Sequence, residues 1–307
     1  MKCNVNDIPI VSIIIVNYNT QKALSDCLNS IYNKEEDLFF EVIIVDNGSN
    51  DNSVEHLERV FPKVKVIDAK VNLGFGKANN LGVKYSRGKY LFFLNPDTIL
   101  LNNAVTILYE FLISNPNVGL CGGNLYKLDN SPNESYSLSY PNLKREMSFA
   151  LNRRAKKQEC FNKTGNAKEV AWISGADMMI SKELFFRIGM FDENLFMFYE
   201  EPDICNRLHY IGLKVFSLPS AKLIHLQGEA SSKSDLITVI NIDSQLRYLR
   251  KYNLFAFIVL FILRFLKSIF AFIYFSGKGV RVKQVYWSQN MKAVLFSLKK
   301  QDYYFLK

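Results

Sequence analysis

The chain is poor in the side chains that most often announce a reaction. Its 307 residues include three histidines, two tryptophans and five cysteines. Cys3, Cys27, Cys121, Cys160 and Cys205 are scattered and odd in number. With no C-x-x-C pair they exclude a zinc ribbon or a dithiol redox motif and point to a reducing compartment. A phosphate-binding G-x-x-x-x-G-K-[ST] loop is missing. The one G-x-G, Gly74 and Gly76, has Asn79 where a dinucleotide loop needs its third glycine, which argues against a dehydrogenase. Low-complexity tracts and internal repeats are absent. The apolar stretch at Ile8–Val16 is short and lacks a small-residue cleavage site, so it reads as a strand and not as a signal peptide. Acid is missing from one end: residues 244–307 hold 12 Lys/Arg and a single acid, Asp302. The first 243 residues are close to neutral, with 26 Lys/Arg and 28 Asp/Glu, so the net charge of +9 belongs to the tail.

What is present is an alternation of strand and helix signals. Apolar, β-branched runs at Val11–Val16, Glu41–Val45 and Lys63–Ile67 are separated by amphipathic segments at Thr20–Tyr32 and Ser53–Phe61. A further helix is expected at Ala78–Ser86 and a strand at Tyr90–Leu94. This order predicts a mostly parallel, Rossmann-like α/β sheet covered by helices on both faces. Ligands of open α/β sheets bind beyond the carboxyl ends of the strands. The polar groups there are Asn17-Tyr18-Asn19, Asp46-Asn47-Gly48-Ser49 and Asn95-Pro96-Asp97. Between Lys127 and Glu169 periodicity fades, and no element is assigned. Apolar order returns at Val170–Ile180, followed by a helix at Lys182–Ile188 and the acidic stretch Phe198-Tyr199-Glu200-Glu201-Pro202-Asp203.

Four segments follow in order through the first third: Val11 to Asn19, Val45 to Ser53, Asn72 to Asn80 and Phe93 to Thr98. Four more follow: Ile173-Ser-Gly-Ala-Asp177, Phe191-Asp-Glu-Asn194, Phe198 to Arg207 and His225-x-x-Gly-x-x-Ser231. Together, over residues 10–235, they resemble glycosyltransferase family 2, the inverting enzymes of the GT-A fold, and most closely its bacterial rhamnosyltransferase-like branch. The resemblance implies a GT-A domain over 1–243, with a nucleotide-sugar-binding half at about 1–126 and an acceptor and catalytic-base half at 127–243. Residues 244–307 would form a helical, membrane-associating tail.

Carried over residue by residue, the resemblance implies that Asn17, Tyr18, Asn19, Asp46, Gly74, Lys77 and Asn80 bind the nucleotide sugar, with Tyr18 and Asp46 lining the nucleoside pocket and Lys77 and Asn80 near the nucleotide or diphosphate. Asn95 and Asp97 occupy the family's D-x-D position, with Asp97 and His225 as ligands of Mg²⁺ or Mn²⁺. Glu201 is the expected base, with Glu200 as the alternative. Ser174, Gly175, Ala176, Asp177 and Asp203 would line the sugar or acceptor pocket. Simpler readings stand beside these. Asp46 and Asp97 are also ordinary turn residues, Lys77 an ordinary solvated lysine, and His225 an ordinary buried one. The acids at 200–203 also suit a helix N-terminus, with Pro202 in its first turn.

Two departures matter. Asn95 stands where the D-x-D element has its first acid, so any metal leans on Asp97, His225 and the donor's phosphates. Glu201 replaces the usual Asp of a Glu-Asp pair, which moves the carboxylate by about an ångström or more. These leave a catalytically inactive scaffold of a polysaccharide assembly complex as the rival, separated from an enzyme by donor turnover. A sugar nucleotidyltransferase is disfavoured because Asn17-Tyr18-Asn19-Thr20 stands where its Gly-rich, Arg-containing loop belongs.

Within the tail, residues 254–275 are long and apolar enough to span a bilayer. Arg264 and Lys267 near its middle would each cost about 2.5–3.5 kcal/mol there. Sharing one helix face, they predict a helix lying on anionic lipid, with a true span and a buried core helix as alternatives. The expected partners are a nucleotide-sugar donor, a lipid-diphosphate-linked saccharide acceptor and an anionic membrane surface at the cytoplasmic face of a bacterial inner membrane. No nucleic-acid recognition motif accompanies the basic tail. A homo-oligomer is compatible with the sequence.

Overall fold

The computed structural model describes residues 8–151, 159–226 and 235–299. Of the motif positions, Gly228 and Ser231 lie outside these, as do Cys3 and Asp302. Two compact units form. The first takes the described residues of 1–140, 158–192 and 200–228, the second those of 141–157, 193–199 and 229–307. The boundary expected at 243 falls inside a single helix, α8 (Asp235–Tyr252).

The first unit is built on β1 (Val11–Asn17), β2 (Phe40–Asp46), β3 (Lys65–Asp68) and β4 (Tyr90–Leu94), all parallel and joined by α1 (Gln21–Lys34), α2 (Ser53–Val60) and α3 (Phe75–Lys84). In β1, β2 and β4 most β-branched and aromatic residues are buried on both sheet faces, as a helix-covered parallel sheet requires. Alternate residues feed two cores. Ile13, Ile15 and Phe92 pack with Leu24 and Leu28 of α1, whereas Ile14 and Phe93 pack with Val83 of α3. Phe92 and Phe93 are fully buried, and truncating such a side chain costs about 3–5 kcal/mol.

The remaining strands complete a nine-stranded sheet of order β3-β2-β1-β4-β10-β6-β11-β5, with β8 also paired to β11. They are β5 (Thr98–Leu100), β6 (Val118–Tyr126), β8 (Lys168–Val170), β10 (Asp177–Ser181) and β11 (Lys214–His225). β6 and β11 are parallel to each other, and β10 runs antiparallel to both β4 and β6. The expectation of a mostly parallel sheet flanked by helices holds. The antiparallel β10 was not legible as such, and it matters, because its first residue, Asp177, pairs with Leu94, the last of β4. The start of β10 therefore reaches the edge where the parallel strands end. α4 (Ala104–Ser114) adds to the α1 side of the sheet, while α6 (Lys182–Arg187) and α7 (Glu200–Tyr210) add to the α3 side. The unassigned stretch 127–169 contains β7 (Tyr136–Ser137), paired with β9 (Trp172–Ile173), and also α5 (Leu143–Ala150) and β8.

The second unit packs α5 and α8 with α9 (Leu254–Gly277) and α10 (Arg281–Phe296) around Val239, Ile242, Leu246, Leu249, Ala256, Leu260 and Ala293.

Candidate active site

At the end of β1, Asn17 is fully buried and its side-chain amide donates to Asp46 Oδ2 at 2.8 Å and to Ser49 Oγ at 3.1 Å. Asp46 is buried at the end of β2, and its Oδ1 accepts from the Ser49 backbone N–H at 2.9 Å. A carboxylate held by two donors still has lone pairs for a third. Tyr18 is 44% exposed beside it, and Asn19 turns the chain at φ 56° while its Oδ1 accepts from the Asn50 N–H. Asn17 thus braces the ends of the two strands.

Asn47 is a brace that motif reading missed. Its side-chain amide donates to Asn72 Oδ1 at 2.9 Å and its Oδ1 accepts from the Leu73 N–H at 2.8 Å, which ties the end of β2 to the loop entering α3. Gly74 enters that helix at φ 82°, a conformation that costs other residues, and α3 starts at Phe75, earlier than the expected Ala78. Lys77 is half-buried in the first turn. Asn80 is 1% exposed and both polar atoms of its amide are taken by the Phe191 backbone, Nδ2 to Phe191 O at 3.0 Å and Oδ1 from the Phe191 N–H at 3.1 Å. Asn80 thus clamps the segment leading to Asp192.

Beyond β4 the chain turns at Asn95-Pro96-Asp97 and continues as β5. The turn is fixed by the Asn95 N–H donating to Ala176 O at 3.0 Å and by Thr98 Oγ1 donating to Asn95 O at 2.7 Å. β5 pairs with the end of β11, setting His225 opposite Thr98. Residues far apart in sequence thereby meet: His225 Nε2 lies 3.3 Å from Asp97 Oδ1 and 3.3 Å from the Asn95 side-chain nitrogen. His225 Nδ1 is buried without a hydrogen bond among the described residues, so the ring's interactions concentrate at Nε2.

No cluster of three or more His, Cys, Asp or Glu side chains suited to a metal occurs among the described residues. Asp97 and His225 offer an oxygen and an imidazole donor. That set fits a divalent cation such as Mg²⁺ or Mn²⁺.

The acid pair opens α7. Glu201 is half-buried, and its Oε1 accepts from the Gly175 N–H at 3.1 Å in the loop before β10. A Cβ on Gly175 would lie 2.7 Å from that oxygen, so the close approach needs glycine. Glu200 is 1% exposed and its Oε1 lacks a partner among the described residues. Burial raises the pKa of both carboxyls, and for Glu200 the neighbouring Glu201 charge pushes the same way. Glu201 is the one of the two with solvent access. Ahead of them, Phe198 and Tyr199 hold φ of 74° and 70°. Such values are uncommon in non-glycine residues and collect at functional sites.

Two expected pocket acids face inward. Asp177 is fully buried and its Oδ2 accepts from the Gly123 N–H at 2.5 Å, with burial raising its pKa well above the usual carboxylate range. Asp203 is 1% exposed and bonds Arg207 at 2.6 Å, one helical turn along, while Arg207 also donates to Ile188 O. Both carboxylates are engaged within the fold. Ser174 and Ala176 stay beside the site through the backbone: the Ser174 N–H donates to Ser135 O, and Ala176 O receives Asn95.

The family model described as glycosyl transferase family 2 matches residues 12–173. The dTDP-rhamnosyl transferase RfbF of Shigella flexneri is 29% identical over 246 residues, covering 79% of this chain and 77% of its own. The N-acetylglucosaminyl-diphospho-decaprenol L-rhamnosyltransferase of Mycobacterium tuberculosis (strain CDC 1551 / Oshkosh) is 24% identical over 212 residues, covering 62% and 68%. Among solved structures, the mannosyltransferase PcManGT from Pyrobaculum calidifontis, in complex with GDP-Man and Mn²⁺, superimposes with a TM-score of 0.55 at 13% identity, covering 97% of this chain and 89% of that one. The last likeness speaks to the GT-A fold alone.

Proposed function

The chain belongs to glycosyltransferase family 2 and is a glycosyltransferase, and from that premise we propose that it is an inverting enzyme that moves a sugar, rhamnose in the first instance, from a dTDP- or UDP-sugar. The acceptor is a hydroxyl of a lipid-diphosphate-linked saccharide in O-antigen, capsule or other cell-surface polysaccharide synthesis. Relatives that bear rhamnosyltransferase names support the sugar, and the lipid-diphosphate name of one supports the acceptor. Soluble donor and lipid-linked acceptor would meet at the cytoplasmic face of a bacterial inner membrane.

The observation that carries the reading is a convergence at one sheet edge. Asp46 ends β2, Asp97 and His225 meet beyond β4 and β11, and Glu201 docks on Gly175 ahead of β10. Glu201 accepts the proton of the acceptor hydroxyl as its oxygen bonds to C1 of the sugar. The bond from C1 to the diphosphate oxygen breaks on the opposite face, its electron pair leaves with the diphosphate, and configuration inverts. A pKa raised by burial makes Glu201 a stronger proton acceptor than an ordinary glutamate. Asp46 accepts from the base of the nucleoside. Asp97 and His225 would hold a divalent cation, which when bound would supply positive charge to offset that of the departing diphosphate.

The test is nucleoside diphosphate release from dTDP-, UDP- and GDP-sugars with Mg²⁺, Mn²⁺ or EDTA, in the presence of lipid-linked acceptor extract. Selective, cation-dependent release from dTDP-rhamnose is expected. Donor binding without release from any sugar, in the presence of acceptor, would favour the inactive scaffold.

A further inference from the structure

Helices in water-soluble bundles turn charge outward and apolar residues inward. In the second unit, α9 does the reverse. Its only charged residues, Arg264 and Lys267, are spent inside the unit. Arg264 Nε donates to Gln245 Oε1 at 2.8 Å, and Gln245 in turn donates to the buried Glu146. Lys267 Nζ donates to Ala150 O at 2.7 Å, and the neighbouring Ser268 is 2% exposed. Both cations are thus engaged within the unit.

The opposite face is a continuous apolar stripe. Phe255, Ile258, Ile262, Leu266, Phe270 and Ile273 are 70, 47, 51, 45, 68 and 61% exposed. At about 100° per residue they fall within an arc of about 120°, with Arg264 roughly half a turn away. The stripe runs for about 27 Å. Exposed Arg250 and Lys251 stand at one end of it, and Lys278, Arg281 and Lys283 at the other. At that second end Lys278 lies 4.8 Å over the Tyr274 ring and Lys283 4.9 Å over Phe275.

We propose that this stripe is a membrane-docking surface: α9 lies in the plane of an anionic bilayer, its apolar face among the acyl chains and its flanking cations on lipid phosphates. Charge complementarity selects the occupant. Residues 244–299 contain no acid, so a second copy presenting the same face would bring like charges together. A span is disfavoured although α9, 24 residues long with a mean hydropathy of 2.3 over an 18-residue stretch, is long and apolar enough for one. Its packing partner α10 carries Arg281, Lys283, Gln284, Gln289, Asn290 and Lys292, which cannot accompany it through hydrocarbon. An inverted stripe with basic ends is what an interfacial helix needs.

The proposal does not depend on the transfer reaction and is tested without donor or acceptor. The full chain is sedimented with vesicles of phosphatidylcholine alone or mixed with phosphatidylglycerol, at low and high salt. Binding to the mixed vesicles, weakened by salt and reversed by an alkaline carbonate wash, is expected. The pair I262N/F270N should lower partitioning roughly tenfold or more with an unchanged circular dichroism spectrum. The exposed pair K278E/K283E, which leaves the stripe intact, should weaken binding to the mixed vesicles and not to the neutral ones. Three results would overturn the proposal: unchanged partitioning of both pairs, retention through the carbonate wash, or no vesicle binding by a chain whose dimer falls to monomer on I262N/F270N.

Discussion

Glu201 and Gly175 depend on each other. The N–H of one fixes the carboxylate of the other, and no Cβ fits between them. Gly175→Ala should lower kcat about 10- to 100-fold with little change in the KM for donor, since an ångström of misplacement is enough. Steady-state kinetics with both substrates checks the split. Asp97→Ala should reduce kcat/KM by about 10²–10³ and abolish the response to added divalent cation; retained activity with the same cation dependence would remove Asp97 from the metal site. The acid pair and the Asn-Pro-Asp turn were legible because each interrupts an apolar pattern with charge. The inward-facing polar residues were not. Asn17, Asn80, Asp177 and Asp203 sit within the same motifs as the exposed ones, and a motif records residue type without recording which way the side chain turns.

Elements of strong period were readable from sequence and short ones were not. β1, β2, β4 and α1 announce themselves through apolar runs and 3.6-residue spacing. β7 and β9 have two residues each, too few for a period to emerge. The pairing of β5 with β11, which brings His225 to Asp97, is a long-range contact that no local pattern encodes. For α9 the spacing showed that Arg264 and Lys267 share a face, and only the packing showed that the face is internal. Glu146 accepts from Tyr199 Oη at 2.8 Å as well as from Gln245, so Arg264 closes a buried chain that ends on a residue of positive φ. Replacing Arg264 by Leu should destabilise the second unit by about 1–3 kcal/mol, the cost of leaving a buried acceptor unpaired. Urea unfolding followed by circular dichroism measures it.

Across the whole molecule, charge is distributed by task. The acids Asp46, Asp97, Glu200 and Glu201 belong to the first unit, whereas the acid-free stretch 244–299 lies in the second. Concentrating buried acid has a consequence for stability. Glu200 has a folded pKa well above its ordinary value, so the native state keeps its proton where the unfolded chain has already lost it. Its contribution is thus most favourable below the ordinary glutamate pKa and declines as pH rises toward the folded value. Glu200→Gln should therefore raise the melting temperature at neutral pH and flatten its fall between acid and neutral; an unchanged pH slope would show that Glu200 is not held protonated. The same burial raises Glu201, so the acid limb of the kcat/KM profile should lie above that of an ordinary glutamate.

The most direct test of the account compares the wild-type chain with Glu201→Gln, measuring product formation and, by calorimetry, donor affinity. Loss of transfer by about 10³-fold or more is expected, with donor affinity within a few-fold of wild type. A Glu201→Gln chain that still transfers sugar at the wild-type rate would place the base elsewhere and contradict the account.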